Sequence, residues 1–581
     1  MNHDATTPQQ DAPRSSDGSG DTGGPGRSAW LNYFPPARWL AEYRAAWLPG
    51  DIIAGVTLAA YAIPVSLAYA SLAGLPPQVG IYGYLLGGLG YALLGSSRQL
   101  AVGPTSAISL MIAGSVAAMA EGDAQRYIQI ASLAAFTVAL LCAISWLCQL
   151  SVLVRLISDS ILVGFKAGAG LTIMMTQLPS LFGINGGGHN FFERALLFAG
   201  KLGETQILVL ALGAIAIAAL LAGERYLKGK PVGLVVVALS IVAVSVFGLA
   251  GLGVPTTGEV PAGLPTLDGP SLRLRDVEGI IPLAIGCLLL AYVEGVSAAR
   301  AFAAKHCYSL DARQEFLGIG AANLAAALGQ GYPVAGGLSQ SAVNDMAGAR
   351  TPIALVVASI TLALCLLFLT GVLAHLPKAV LAAVVLTAVY GLVDFPALIR
   401  MWRVSRIDFY AAGIALLAVL LLGILQGILL AALSTILMLL ARASVPHVAF
   451  LGRVPGTNSY SDLARHSDNE PLRDVVAFRP EASLLYVNAE SVLDTVLNRL
   501  ARSSDIRMVV CDLSASPYVD LAGSRMLHQL HAQLAPSSIA LRIVGARGRV
   551  RDLLRADGLA EKVGGLDRAV TLDRLLENSS K

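Results

Sequence analysis

The distribution of charged residues most strongly constrains how this chain can fold. The chain has 41 Lys or Arg and 38 Asp or Glu, and 33 of these 79 residues lie in the 136 residues from Pro446 onward, which leaves 46 for the first 445. Overall, 55% of the residues are hydrophobic and 14% are charged, whereas soluble proteins carry about 25% charged residues. The first three quarters are therefore predicted to lie in a membrane and the last quarter to fold in water.

Fourteen apolar stretches, two of them short, are long enough to cross or half cross a bilayer. The polar connection from Gly251 to Val277 divides them into seven and seven, and because seven is odd, the second half must enter the membrane upside down. We therefore predict an α-helical membrane protein whose transmembrane domain, 30–445, contains a 7+7 inverted repeat at about 51–250 and 275–442.

The termini are predicted to be cytoplasmic. Residues 1–29 are almost devoid of apolar side chains, which indicates a disordered tail without a secretory signal. Counting from a cytoplasmic N-terminus places twelve basic residues at cytoplasmic span ends and six outside, in line with the positive-inside rule. The twelve are Arg98, Arg155, Arg225, Lys228, Lys230, Arg300, Lys305, Arg313, Arg350, Arg400, Arg403 and Arg406. We expect a multi-pass protein of the cytoplasmic (inner) membrane.

After Pro446 the pattern changes to alternating short strands and amphipathic helices. Residues 507–513 and 539–546 are predicted strands, and 520–534 and 548–557 are predicted helices. The sequence thus predicts a compact cytoplasmic α/β domain at 446–581.

Two interrupted helices begin at matching positions in the two halves, at Gly103-Pro104-Thr105-Ser106 and at Gly336-Gly337-Leu338-Ser339. Such helix starts expose backbone N–H groups and a partial positive charge, and in inverted repeats they indicate a transporter's midplane site. Thr105, Ser106, Ser339 and Ser341 would add hydroxyls, and Pro104 would sit in the first helical turn. The alternative is that Gly and Pro only break two helices at a packing contact.

Glu294 is a carboxylate deep in an apolar stretch. Because burying it ionised and unpaired would cost several kcal/mol, it is expected to be protonated, ion-bound or paired. A role in ion coupling is the main hypothesis, and a structural salt bridge is the alternative. Lys166, near a cytoplasmic span end, is explained equally well by snorkelling. Tyr69, five residues after Pro64, could close one side of a cavity or simply pack.

Motifs for other functions are missing. Gly223 to Lys230 lacks Walker A spacing, and the eight histidines form no metal-ligand pair at helical spacing. No basic run with interleaved aromatic residues points to nucleic acid. We therefore expect neither an enzyme nor an ATP-driven pump, and no cofactor, metal or nucleic acid.

Specific motifs then point to a family. The run from Pro64 to Tyr82, together with Gly95-Ser96-Ser97-Arg98 and Gly103-Pro104, resembles the sulfate permease (SulP) family, bacterial relatives of the animal solute-carrier anion exchangers. The run from Gly336 to Asn344 does so as well. Val509 to Leu513, followed by Tyr518 to Gly523, resembles a STAS domain. Together the resemblance covers about 50–575.

The resemblance implies a mobile core (spans 1 to 4 and 8 to 11) and a gate (spans 5 to 7 and 12 to 14) that move in an elevator-like manner. It also implies a homodimer with cytoplasmic STAS domains. The family's anion site corresponds here to six residues. They are Tyr69, Thr105, Ser106, Leu338, Ser339 and Gln340.

Three positions depart from the family. Many members carry Arg where this chain has Gln340, so the helix N-termini must contribute more. Sodium-dependent bicarbonate members have Asp at the position of Glu294 and Thr at that of Ala298; losing this oxygen ligand favours Glu294 as a proton carrier. In the STAS domain, Leu521-Ala522 replaces the phosphorylatable Ser of anti-sigma antagonists, which argues against a phospho-switch.

These observations predict secondary active transport of a small anion, sulfate or a related oxyanion or carboxylate, coupled to protons. One alternative is a sodium-coupled bicarbonate importer. The other is an uncoupled anion channel, or a sensor that signals through the STAS domain to a cytoplasmic partner.

Overall fold

The computed structural model describes residues 43–150, 159–188, 190–227, 232–258, 261–270, 273–390, 393–503, 505–568 and 570–579. The tail predicted at 1–29 and the basic residues Arg155, Lys228 and Lys230 lie outside the described residues. The chain forms two compact units, which divide between Leu429 and Leu430 and are described separately.

The first unit is built from helices rich in Leu, Ala, Val and Ile. Its first half contains α1 (Leu48–Leu72), α2 (Pro77–Leu94), α3 (Ser106–Ala120), α4 (Ala124–Leu147), α5 (Asp159–Phe182), α6 (Phe191–Gly200), α7 (Ile207–Tyr226) and α8 (Val232–Val246). Its second half contains α9 (Leu274–Lys305), α10 (Gln314–Leu328), α11 (Leu338–Met346), α12 (Ile353–Phe368), α13 (Thr370–Leu373), α14 (Lys378–Tyr390), α15 (Phe395–Val404), α16 (Arg406–Leu422) and the start of α17 (Ile424–Ser444).

Length and composition mark this unit as membrane-embedded. Within the described ranges, six helices are long and apolar enough to cross a membrane, and several shorter apolar helices accompany them. Many large apolar side chains are exposed on the unit's surface, as expected where the surrounding medium is lipid. The exact number of fourteen spans stays a prediction.

The helices pack in two groups. Helices α1 and α2 pack against α10, α11 and α12, and α4 packs against α9 and α10. In the second group, α5 packs against α14 and α16, while α7 packs against α14. Each group thus combines helices from both halves of the chain, as expected for a core and a gate assembled from two repeats.

Two short strands join the halves inside the first group. β1 (Val102–Gly103) precedes α3 and β2 (Ala335–Gly336) precedes α11, and the strands pair antiparallel with Val102 opposite Gly336. Helices α3 and α11 have 15 and 9 residues, so they rise only about 22 and 14 Å, less than the bilayer core of about 30 Å. Both helices therefore begin inside the unit.

The approach to β2 is fixed by Asn323 of α10, which is completely buried. Its amide nitrogen donates to the carbonyl oxygens of Ile319 (2.9 Å) and Val334 (3.0 Å), and its oxygen accepts from the Val334 N–H at 3.0 Å. Val334 directly precedes β2 and lies outside the helices, so helical hydrogen bonds cannot satisfy its backbone N–H and carbonyl. The Asn323 side chain satisfies them instead.

The second unit has a five-stranded sheet in the order β4-β3-β5-β6-β7. The strands are β3 (Val448–Arg453), β4 (Tyr460–Asp462), β5 (Val475–Pro480), β6 (Met508–Asp512) and β7 (Ala540–Val544). The helices are α18 (Ala489–Leu500), α19 (Leu521–Leu534), α20 (Gly548–Ala556), α21 (Leu559–Lys562) and α22 (Leu572–Ser579). Strands β5, β6 and β7 are parallel, whereas β3 pairs antiparallel with β4 and β5. The predicted strands and helices of this part are thereby confirmed.

We expect Asn323→Leu to destabilise the protein by about 2 kcal/mol, because the backbone groups of Val334 lose their buried partner. Thermal unfolding of the purified protein should show the effect as a lower midpoint. Thr361→Val is the matched control, because the Thr361 hydroxyl bonds only to Val357 within its own helix. Equal midpoints for the two variants would contradict the role of Asn323.

Candidate anion-binding site

The pairing of β1 with β2 brings the N-termini of α3 and α11 together. The Gly337 N–H donates to the Ala101 carbonyl at 3.2 Å, and the Ala101 N–H donates to the Ser341 hydroxyl at 2.9 Å. Across the junction, the amide nitrogen of Gln340 donates to the carbonyl of Pro104 at 3.0 Å. The two helix starts are thus tied to each other by main-chain and side-chain hydrogen bonds.

Polar groups at both helix starts are available to a ligand. The first three backbone N–H groups of α3 and of α11 donate to no acceptor among the described residues. Thr105 is the N-cap residue of α3, yet its buried hydroxyl makes no capping bond and has no partner in the described part of the chain. The buried side-chain oxygen of Gln340 is likewise without one. An anion between the helix starts would meet amide donors and the Thr105 hydroxyl.

The structure places the six predicted site residues around this junction. Tyr69, Thr105, Ser106 and Gln340 are buried, whereas Leu338 and Ser339 are exposed, Leu338 at 60%. Tyr69 of α1 lies close enough to Ser106 for its hydroxyl to interact with that side chain. Five of the six can offer a polar side-chain group, and Leu338 can offer its backbone N–H.

Two expectations about this junction are wrong in detail. Helix α3 begins at Ser106, so Pro104 is not in its first turn but precedes the N-cap residue Thr105. Pro104 instead presents its carbonyl to Gln340. Ser341 is not a ligand candidate, because its fully buried hydroxyl donates to the Gly337 carbonyl at 2.7 Å and accepts from Ala101.

Glu294 lies on α9 beside the junction. Its neighbour Gly295 packs directly on Gly336 of β2, where a Cβ on Gly336 would stand 3.0 Å from the Gly295 Cα. The Glu294 carboxyl is half-buried and lies within electrostatic range of Tyr69 and of Lys166. The two glycines therefore allow the acid to approach the anion site, and Lys166 supplies a cation from α5.

The far end of α11 is tied to the same helix. Asp345 accepts from Lys305 Nζ at 2.6 Å and contacts His306 Nε2 at 2.5 Å, both at the end of α9. Nearby, the Asn344 amide donates to the Gln99 carbonyl at 3.0 Å. Helix α9 thus contacts α11 at both ends, through β2 at its start and through Asp345 at its far end. Helix α9, strand β2 and helix α11 together form one packed body that carries the candidate site.

Glu315 is one of several buried acids that sequence reasoning missed. Glu315, near the start of α10, has no exposed surface and accepts hydrogen bonds from the Tyr91 hydroxyl and from the N–H and hydroxyl of Ser96. The burial of Glu315 is hard to predict, because this residue stands beside polar Gln314 at the edge of an apolar stretch, where a carboxylate normally reaches water. Its full set of donors assigns it a structural role, away from the helix starts.

Comparisons with known proteins agree with this architecture. The sulfate permease family model matches residues 48–415, and the STAS domain model matches 467–572. A Mycobacterium tuberculosis protein named "Probable sulfate transporter" is 34% identical over 526 residues, which are 90% of this chain and 94% of that protein.

Two solved structures share the fold. The murine anion transporter Slc26a9 in its inward-facing state gives a TM-score of 0.86 at 20% identity, over 97% of both chains. The transmembrane domain of the cyanobacterial bicarbonate transporter BicA gives 0.59 at 20% identity, over 68% of this chain and 98% of that domain. The first family model spans more than half of the sequence, and the relative is similar over nearly its whole length. The chain therefore belongs to the sulfate permease family of membrane transporters and carries a C-terminal STAS domain.

Proposed function

We propose that the protein is a secondary active transporter of a small anion, sulfate or a related oxyanion or carboxylate, across the cytoplasmic membrane. The observation that carries the proposal is the β1–β2 pairing, which aims the amide-rich starts of α3 and α11 at one place inside the unit. Unpaired N–H groups suit an anion and offer nothing to a cation, and the nearby hydroxyls can donate to the anion as well. The name of the mycobacterial relative favours sulfate.

In this proposal, Tyr69, Thr105, Ser106, Leu338, Ser339 and Gln340 bind the anion. Gln340 contributes no charge, and its amide is already held by Pro104. The attraction then comes from the partial charges of two helix ends, each worth about half an elementary charge. Such a site binds an anion without a permanent excess charge that would prevent its release.

Glu294 is proposed to carry the coupling proton. An ionised Glu294 would repel an anion bound nearby, whereas a protonated Glu294 would not. Binding of the anion and binding of the proton are therefore linked. Lys166 supports a second possibility, because it lies within electrostatic range of Glu294 and the two could form a structural ion pair. The two possibilities differ in whether transport follows the proton gradient.

Movement of the site is proposed to be elevator-like. The helix group around α1, α10 and α12, which contains both helix starts, would slide against the group around α5, α14 and α16. The denser packing within each group than between them supports this motion, and α1 and α14 form part of the interface along which the groups would slide. A homodimer with cytoplasmic STAS domains, which could bind a cytoplasmic partner, is proposed from family membership.

We expect Glu294→Gln to abolish uptake driven by a proton gradient while anion binding is partly retained, because Gln cannot exchange a proton. Uptake of labelled sulfate into proteoliposomes under an imposed pH gradient measures the effect. The matched control is Glu278→Gln, an exposed carboxylate on the same helix. Wild-type uptake by Glu294→Gln would remove Glu294 from the mechanism and favour a structural pair with Lys166.

We expect Ser339→Ala to weaken sulfate binding about tenfold, the effect of losing one hydrogen bond to a charged group. Titration calorimetry on the purified protein measures the dissociation constant. Ser245→Ala, at an exposed position on α8, is the control. A wild-type dissociation constant for Ser339→Ala would move the anion away from the start of α11.

Two rival functions are separated by one set of uptake measurements. Labelled sulfate, bicarbonate and fumarate are offered to proteoliposomes under imposed proton or sodium gradients, and choline replaces sodium at fixed pH. Uptake of bicarbonate that disappears with choline would establish the sodium-coupled importer instead. Failure of any gradient to drive accumulation above equilibrium would favour an uncoupled channel or a sensor.

A further inference from the structure

A cavity of about 200 Å³ lies at the C-terminal end of α5, which the predicted topology places outside. Its walls are mainly apolar, with Met175 and Pro179 from α5 and Leu197 and Phe198 from α6. Its polar groups come from Thr176, Arg194 and the connecting segment Asn185–Gly188. None of these residues belongs to α3, α11 or α9. The cavity is therefore separate from the candidate site described above.

The chain folds back sharply to form this cavity. The Ile184 N–H donates to the Pro179 carbonyl at 3.0 Å, which ends the turn after α5. Gly188 then adopts a left-handed conformation with φ of +94°, and a Cβ there would stand 3.0 Å from the Arg194 Cγ and N. Glycine at 188 thus lets the segment approach α6 closely enough to enclose a space.

One cation, Arg194, lines this space, and a second, Lys201, contacts the connecting segment. Arg194 is half-buried, and its Nε donates to the Gly188 carbonyl at 3.0 Å, which directs the guanidinium along the segment. Its two terminal nitrogens make no hydrogen bond to another described residue, and burial lowers the pKa of the group. Lys201 Nζ donates to the Asn185 carbonyl at 3.2 Å. A partly desolvated cation with unused donors is unfavourable unless it has a counter-ion.

The backbone offers further donors. The N–H groups of Asn185, Gly186, Gly187 and Gly188 donate to no acceptor in the described ranges. Consecutive N–H groups in such a turn form a concave surface that suits an anion. Glu193 lies within electrostatic range of Arg194, but its side chain is exposed, so solvent screens this interaction.

We infer that this cavity is a second anion-binding site, which takes a small free oxyanion such as sulfate from the external solution. The guanidinium and the segment's N–H groups surround the oxyanion, as a planar fork and a ring of amides do in other oxyanion sites. The volume is below the range of about 300–1,000 Å³ that is usual for larger organic ligands. The inference does not depend on transport, because binding here can occur whether or not the anion is then moved.

Hydrogen–deuterium exchange on the purified full-length protein tests this site locally. Exchange in peptides covering 183–188 is compared in sodium sulfate and in sodium gluconate at equal ionic strength. At a sulfate concentration roughly ten times the dissociation constant, we expect exchange of these amides to slow about tenfold, because protection grows as one plus that ratio.

Variants identify the contribution of Arg194. Arg194→Gln should reduce the sulfate-dependent protection to about twofold or less at the same concentration, because a charged donor is lost. Arg194→Lys, which keeps the charge, should retain part of it. Arg225→Gln, at an exposed position on α7, and Ser339→Ala should leave it unchanged. Unaltered exchange in α14 peptides shows that each variant is folded.

Several results would overturn the inference. Sulfate could leave exchange at 183–188 unchanged in the wild type, or it could protect the Arg194→Gln variant as strongly as the wild type. Protection by dihexanoyl phosphatidic acid without protection by sulfate would assign the cavity to lipid phosphate instead. Loss of uptake with intact protection at 183–188 would count against the proposed transport function alone.

Discussion

The antiparallel pairing of Val102–Gly103 with Ala335–Gly336 is the contact on which the rest of the membrane unit depends. Two short helices that begin inside a bilayer would each leave unpaired N–H groups in an environment without water. The two-stranded pairing satisfies the backbone just before each start and fixes the distance between them. Asn323, Gln340 and Ser341 complete the junction with side-chain hydrogen bonds.

The electrostatics of the junction explain its chemistry. No Lys or Arg is among the six candidate residues, so in the proposed site the attraction for an anion would come from helix ends and hydroxyls. The titratable groups nearby are Glu294 on α9 and Lys166 on α5, which belong to different helix groups. In the proposed elevator-like motion, the charge balance of the candidate site would therefore change as one group of helices moves relative to the other.

Much of this arrangement was predictable from local sequence patterns. Hydrophobicity identified the membrane part, short apolar runs identified β6 and β7 as buried strands, and the glycine-bounded starts near Gly103 and Gly336 predicted two interrupted helices. The roles of Ser341 and Glu315 were not predictable, because each depends on a partner far away in the chain. The role of Asn323 depends on how the chain turns between α10 and β2, which local patterns do not define. Likewise, the exact start of α3 could not be predicted locally, because the Pro104 carbonyl accepts from Gln340, a residue of the other half of the chain.

The hydrogen-bond donors at the starts of α3 and α11 are mainly backbone N–H groups, and this limits how point mutations can change the proposed site within the family. A point mutation can remove a hydroxyl or a carboxylate, but it cannot delete a peptide N–H unless it introduces proline. In the proposed site, the general affinity of the two helix starts for negative charge would thus persist through sequence drift. Discrimination among anions would then reside in the few surrounding side chains, chiefly Tyr69, Thr105, Ser339 and Gln340, and we expect selection or engineering to alter the cargo at these positions.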